Sequence, residues 1–305
     1  MSHRRRPELA LGAAVPLLVP ARTQNGSTTM PSPVIRDQDY AEFRRLLEEI
    51  CGIVLGDNKQ YLVSSRLGPL LAREHFTTLG QLLARLREPG SGALRIEVVD
   101  AMTTNETQWF RDSQPFQALD QHLLPELAAR GGSRTVSVWS AGCSSGQEAY
   151  SIAMLIQEHK ERGRLADGRV LGTDISPRMI ERGRAAVYGA SEIRRGLDPE
   201  RQRRHFTVVE EGQWQVLPAV ARRVSFREHN LLDSSTLLGR FDLVFCRNVL
   251  IYFSLPARAE ILGRMAQALN PGGYLFIGSS EALPRGLEQL ELVRLGGATA
   301  YRRKG

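Results

Sequence analysis

Residues Thr135 to Glu148 read TVSVWSAGCSSGQE: five β-prone residues, a turn of small residues, then at once the start of an amphipathic helix. That order belongs to a strand that feeds a helix at the edge of an α/β sheet. Small residues in the turn let a ligand approach the backbone, and the first N–H groups of the helix point toward whatever lies there. The same turn also serves packing alone in many α/β proteins, so further residues have to decide.

A dinucleotide site needs three closely spaced glycines and a helix start free of negative charge. Here Gly142 and Gly146 stand in a GxxxG arrangement, and Glu148 lies where a pyrophosphate would sit. The next strand, Arg169 to Thr173, ends at Asp174, a second carboxylate at the carboxyl edge of the sheet. Two carboxylates suit ribose hydroxyls and a cationic ligand, which fits S-adenosylmethionine better than NAD. The plain structural alternatives are helix-dipole stabilisation for Glu148 and an N-cap shared with Ser176 for Asp174.

Around this unit the pattern predicts a doubly wound parallel sheet, with strands at Thr135 to Trp139, Arg169 to Thr173, Phe241 to Cys246 and Gly273 to Ile277. Pro115 opens a helix expected to run to Gly131 and Gly132. An insertion over 188–228 interrupts the alternation: Phe206 to Val209, Gln213 to Leu217 and Arg223 to Arg227 read as short antiparallel strands, with Glu210, Glu211 and Gly212 as the hairpin turn. Upstream, four apolar stripes at helical spacing lie between Asp37 and Met102, the first opened by Asp39 and Glu42 and ended by Gly52, the third opened by Thr78. The expected domains are a leader without folded structure at 1–33, a helical domain at 34–104 and an α/β domain at 105–305.

The leader carries HRRR and an apolar run, but Pro7, Glu8, Pro16 and Pro20 interrupt it, which argues against a secretory signal. Met30 is the expected physiological start. At 305 residues and 42% hydrophobic content the chain can bury a sizeable core, and no run has the length to span a bilayer. Three isolated cysteines exclude a disulfide framework and a CxxC zinc site, which places the chain in a reducing cytoplasm without a metal. The net charge of +7 is spread as arginine over the chain and does not demand nucleic acid.

Two further segments fall where ligands bind in such sheets. In MTTNETQWFRD, Asn105, Thr107 and Arg111 would lie within two turns of a helix and converge on one ligand; in FCRNVLIYF, Arg247 and Asn248 follow a buried strand, with Tyr252 four residues on. HNLLD supplies Asn230 on the adenine side. An ion pair of Arg111 with Asp112, and core packing of Tyr252 beside Phe253, are the plain alternatives.

TNETQWFR, WSAGCSSGQEAYSIA, LGTDIS, NLL, FCRNVLIYF and LNPGGYLFIGSSE occur here in the order found in CheR, the chemotaxis receptor glutamate methyltransferase family, and the chain resembles that family from about Asp37 to Tyr301. The resemblance implies an all-α domain, then a Rossmann-like methyltransferase domain with an inserted antiparallel β-subdomain. It implies methyl transfer from S-adenosylmethionine, leaving S-adenosylhomocysteine, to glutamate side chains in the cytoplasmic helical region of chemoreceptors. By the family pattern the cofactor contacts are Asn105, Thr107, Arg111, Glu148, Asp174, Asn230, Leu231, Arg247 and Asn248, and Arg111 and Tyr252 flank the methyl group. Some relatives hold a pentapeptide tether of the receptor on a longer flap loop; the short turn here implies that no tether is needed. An RNA or small-molecule methyltransferase, or a non-catalytic adaptor that keeps the pocket, are the competing readings. Stacking platforms and basic clusters for RNA are missing, and the joint presence of Arg111, Tyr252, Glu148 and Asp174 argues against lost chemistry.

Overall fold

Apolar residues at three- and four-residue spacing fold the first part of the chain into four helices: α1 (Asp37–Cys51), α2 (Gln60–Arg73), α3 (Leu79–Arg87) and α4 (Gly92–Met102). The computed structural model describes residues 35–130 and 135–305. The expected leader and Met30 lie outside them, as do Gly131 and Gly132. Phe43, Leu47, Val63, Leu67, Leu82, Leu86, Val99 and Met102 bury the four inner faces in one cluster. Thr78 and Gln81 form a reciprocal capping box at the start of α3, and Gly52 ends α1. Asp39 does not open α1: it sits buried in the first turn and takes a two-pronged hydrogen bond from Arg36, at 2.8 and 2.9 Å.

The second part builds a seven-stranded sheet from β1 (Thr135–Ala141), β2 (Asp167–Asp174), β6 (Val224–Glu228), β7 (Phe241–Cys246), β8 (Leu269–Ile277), β9 (Leu290–Leu295) and β10 (Ala298–Arg303). Their order is β6-β2-β1-β7-β8-β10-β9; the first five run parallel, and β10 is antiparallel to both neighbours. Side chains alternate across β1: Val136 and Val138 enter one core with Phe245 and Phe276, Trp139 and Ala141 the other with Val244 and Leu275. Helices cover both faces, α7 (Gln147–Glu161) in the first core and α12 (Leu255–Ala268) in the second.

Three sequence expectations change. Val224–Glu228 is not part of the flap; it pairs in parallel with β2 at the sheet edge, from Val170 with Val224 to Asp174 with Glu228. The flap's third strand is instead β3 (Val187–Gly189), beside β5 (Gln213–Val216) and β4 (Phe206–Glu210), in the order β3-β5-β4. Glu210 pairs with Gln213, so the turn is only Glu211 and Gly212, and Val209 is a bulged residue just before it. The helix after Pro115 runs unbroken to Ala129 but not as uniform α-helix: α5 (Gln114–Ala118) passes through a π-helical turn at Leu119–Leu123 into α6 (Leu124–Ala129). Pro125 lacks the N–H that an unbroken α-helix would use there.

Short helices fill the rest: α8 (Pro177–Ala185) follows β2, α9 (Ala190–Ile193) and α10 (Pro199–His205) support the flap, and α11 (Pro218–Ala221) leads into β6. At the flap base Glu158 of α7 is buried between His205 at 3.1 Å and Arg201 at 2.9 Å. Burial opposes its ionisation, but hydrogen bonds from His205 and Arg201 outweigh burial and hold its carboxyl down at about 2. Among the described residues, no helix is long and apolar enough to cross a membrane.

Candidate active site

The carboxyl ends of β1, β2 and β7 are level: Ser140 faces Gly172 on one side and Phe245 on the other. The three strands release their chains into a single cleft, at the place where ligands bind in such sheets. Every residue the sequence assigned to the cofactor lines it, and Tyr252 does too. The helical region closes one wall through Cys51, Ile53 and Met102.

The turn after β1 is fixed by β2. Gly142 and Cys143 both donate backbone N–H groups to the Thr173 carbonyl, at 2.8 and 2.9 Å, and Ser144 donates its own to Asp174 Oδ2 at 2.8 Å. Gly142 has φ +72°, and a Cβ there would lie 2.5 Å from a Val249 methyl, so both conformation and space require glycine. Gly146, at φ +96°, is the N-cap of α7. These turn N–H groups are therefore spent on the protein, and the cradle presents side chains to a ligand.

Two carboxylates stand in the cradle. Asp174 is buried and accepts from Ser144 and, through Oδ1 at 3.0 Å, from the Ser176 N–H. Burial raises its carboxyl above the ordinary range although these N–H bonds oppose the rise. Ser176 is itself the N-cap of α8, accepting from Met179 at 3.2 Å. Asp174 thus supports the start of α8 by holding the Ser176 N–H, and its carboxylate has acceptor capacity beyond these N–H groups. Glu148 is not a bare acid at a helix start: Ser140 Oγ donates to its Oε1 at 2.7 Å, and Arg247 to its Oε2 at 3.1 Å.

Arg247 is the hub. Its side chain is 2% exposed, lies over the Phe116 ring at 5.5 Å, and reaches Glu148, Asp112 (2.9 Å) and the Arg111 carbonyl (2.7 Å). Its Nε–H is buried without a partner among the described residues, a donor that a ligand acceptor in the cleft would satisfy. Asn230 binds the Ile50 carbonyl of α1 at 2.8 Å and accepts from Leu232 at 3.1 Å, so it ties the helical region to the cleft. Next to it, the Leu231 carbonyl accepts from Arg264 at 2.9 Å.

The segment from Thr103 to Ser113 is not helical, so Asn105, Thr107 and Arg111 converge through an irregular loop and not through helical spacing. Phe110 (φ +48°) and Asp112 (φ +54°) are left-handed on either side of Arg111, a conformation rare outside glycine. Buried Trp109 anchors the loop, edge-on to Tyr188 at 4.9 Å and Phe206 at 5.2 Å. Asn105 stays partly buried, with its amide on Thr103 Oγ1 at 3.3 Å and its carbonyl accepting from Ser144 Oγ at 2.9 Å. Among the described residues the Arg111 guanidinium makes only a 3.3 Å hydrogen bond, to the Glu106 carbonyl; its predicted ion partner Asp112 is held by Arg247 instead.

Sequence reasoning gave Glu281 no role, although it stands in the GSSE motif. Its carboxylate accepts the N–H groups of Gly278 (2.6 Å), Asn248 (3.2 Å) and Ile251 (3.2 Å). It thereby pins the loop that carries Asn248, at φ +59°, and the 3₁₀ turn Leu250–Tyr252. Ser140 and Ser144 were likewise read only as small turn residues; nothing in spacing announces that their polar atoms hold Glu148 and Asp174.

An α/β sheet with an acid-lined cleft at its switch point, phosphate-free in its donor set and shaped by a glycine turn, defines an S-adenosylmethionine-dependent methyltransferase. The chain matches the family models described as "CheR methyltransferase, all-alpha domain" over residues 38–103 and "CheR methyltransferase, SAM binding domain" over 105–296, and it belongs to the CheR methyltransferase family. It is 49% identical over 277 residues to the chemotaxis protein methyltransferase of Vibrio parahaemolyticus, covering 90% of this chain and 100% of that one. To chemotaxis protein methyltransferase 1 of Pseudomonas aeruginosa it is 49% identical over 269 residues, covering 87% and 98%. S-Adenosylmethionine is the cofactor, and the orphan Arg247 Nε–H, the two carboxylates and the Gly142 turn fit it.

Proposed function

We propose that this enzyme methylates glutamate side-chain carboxylates in the cytoplasmic helical region of chemoreceptors, forming methyl esters in chemosensory adaptation. One observation carries the reading: Arg111 lines a cleft floored by two carboxylates, yet neither carboxylate nor its neighbour Asp112 neutralises it. A positive fork left unpaired there is suited to an incoming carboxylate.

Bound S-adenosylmethionine supplies a methyl group on a sulfonium centre. A glutamate is already ionised at neutral pH, so it needs no base, and the six histidines of the chain need no catalytic assignment. What the residues do is bind and orient. Asp174 and Glu148 would take the ribose and the cationic portion of the cofactor; Asn105, Thr107, Asn230, Leu231, Arg247 and Asn248 would complete its contacts. Arg111 would fork the acceptor carboxylate, and the Tyr252 hydroxyl, with no partner of its own among the described residues, would set its angle. We take 34–104 as the helical domain and 105–305 as the methyltransferase domain, with the inserted subdomain drawn in to the strands β3 to β5.

Tritiated-methyl transfer to membranes carrying chemoreceptors is the test. Base-labile label on the receptors is the expected result; label on RNA or small molecules alone, or none, would overturn the reading. The two-residue turn at Glu211 and Gly212 supports tether-independent action, so receptors trimmed of their C-terminal pentapeptide should be labelled at an unchanged rate.

A further inference from the structure

Arg111 can receive a substrate carboxylate only if its own neighbourhood leaves it unpaired, and the adjacent residue is an aspartate. In the loop, Asp112, at φ +54°, pairs with Arg247 at 2.9 Å and not with Arg111, while the same guanidinium nitrogen holds the Arg111 carbonyl at 2.7 Å. On its other branch Arg247 holds Glu148. The acid of the cradle and the backbone that carries Arg111 are therefore clamped to one buried cation.

We propose that Asp112 is a positioning residue for methyl transfer: paired with Arg247, it fixes the Arg111 backbone relative to the cofactor cradle and leaves the Arg111 fork free for the acceptor carboxylate. This rests on the acceptor role proposed for Arg111. Asp112 itself is half exposed, 46% at its side chain, and its ion-pair partner is Arg247, through which its effect reaches Arg111. The buried end of the pair is what gives it strength, since Arg247 would otherwise keep a desolvated charge with a single anion.

Three substitutions separate the ion pair from backbone strain. Asp112→Gly accepts the left-handed conformation without steric strain but loosens the backbone and removes the carboxylate; Asp112→Ala removes it and adds strain; Asp112→Asn tolerates the conformation and keeps an acceptor oxygen. For receptor methylation, the Gly and Ala variants should lose about tenfold to a hundredfold in kcat, the scale of a small misplacement, while the Asn variant, which keeps the acceptor oxygen but not the second anion beside Arg247, falls between them and the wild type. S-Adenosylhomocysteine affinity, read by calorimetry, should stay within about threefold in all three, a difference under 1 kcal/mol. A Gly variant as active as the wild type would overturn the proposal, as would a parallel loss of kcat and cofactor affinity. Should the wild type fail to label receptors, the acceptor reading falls, and amide hydrogen exchange decides for Asp112. With S-adenosylhomocysteine bound, residues 106–112 should exchange faster in Asp112→Gly than in the wild type; unchanged exchange would sink the clamp.

Discussion

The two sides of the cleft are built on opposite plans. On the cofactor side, Glu148, Asp174, Asn230 and Arg247 each already hold at least two protein groups. At the positions proposed for the acceptor, the Tyr252 hydroxyl has no partner among the described residues, and Arg111 has one long bond to a carbonyl. A cofactor of fixed shape rewards a preformed cradle, because order established on folding is not lost again on binding. An acceptor that arrives on another protein needs open valences. Glu148, Asp174, Asn230 and Arg247, proposed to hold the cofactor, therefore also hold the fold, whereas the two side chains proposed to meet the acceptor hold little else, and substitution should separate the two groups.

The largest effect is expected at Arg111. Arg111→Ala should reduce methyl transfer about a hundredfold or more, the loss expected when a charge-assisted fork aligning the reactants is removed. Its thermal midpoint should move by less than about 1 °C, because the side chain supports only the bond to Glu106. A near-normal rate in the tritiated-methyl assay would erase the distinction between the sides.

Asp174 should behave in the opposite way. Asp174→Ala strands the N–H groups of Ser144 and Ser176, which costs about 1–3 kcal/mol for each buried donor, so stability and S-adenosylhomocysteine affinity should fall together. Calorimetry of both quantities on one sample checks this. The pH dependence follows the same residue. Burial raises the Asp174 carboxyl, so the folded protein protonates it at a higher pH than an ordinary aspartate. Hydroxyl donors need the anion. Affinity for S-adenosylhomocysteine should therefore be full above the raised pKa and fall as pH drops through it, beginning above the usual aspartate range of about 4. A flat affinity down to that range would remove Asp174 from the ribose.

How much of this was legible beforehand divides along physical lines. Phe241–Cys246 and the strand, turn and helix order at Thr135–Glu161 follow from local pattern, because burial and turn chemistry act within a few residues. The place of Val224–Glu228 does not: a short alternating strand reads the same whether it pairs with a hairpin neighbour or with β2 fifty residues earlier. The last hairpin, β9 and β10, did carry a signal, alternating residues on either side of Gly296 and Gly297, that went unread. In the cleft, residue types and motif order pointed to side chains that the fold brings together. What they could not carry was allegiance. That Asp112 belongs to Arg247, and Glu281 to three backbone N–H groups, depends on left-handed residues such as Asp112 and Asn248, and nothing in their spacing encodes it.

The smallest effect should fall at Cys143, inside the turn that announces the fold, and it tests whether the cradle works through backbone or side chain. Cys143 is fully buried, its Sγ 3.6 Å from the Ser144 carbonyl and close to Gly172, while its N–H on Thr173 does not depend on the side chain. Burial pushes the thiol well up, so it is neutral, and exchange for a hydroxyl changes no charge. Cys143→Ser shrinks the side chain slightly, and the new hydroxyl can donate to the carbonyl that the thiol already faces. A loss of about 1 kcal/mol in stability is expected from the smaller apolar surface, with S-adenosylhomocysteine affinity within about twofold. A tenfold weaker affinity would mean that the sulfur itself shapes the ligand's seat, and that the cofactor side depends on this side chain as well as on its hydrogen-bonded neighbours.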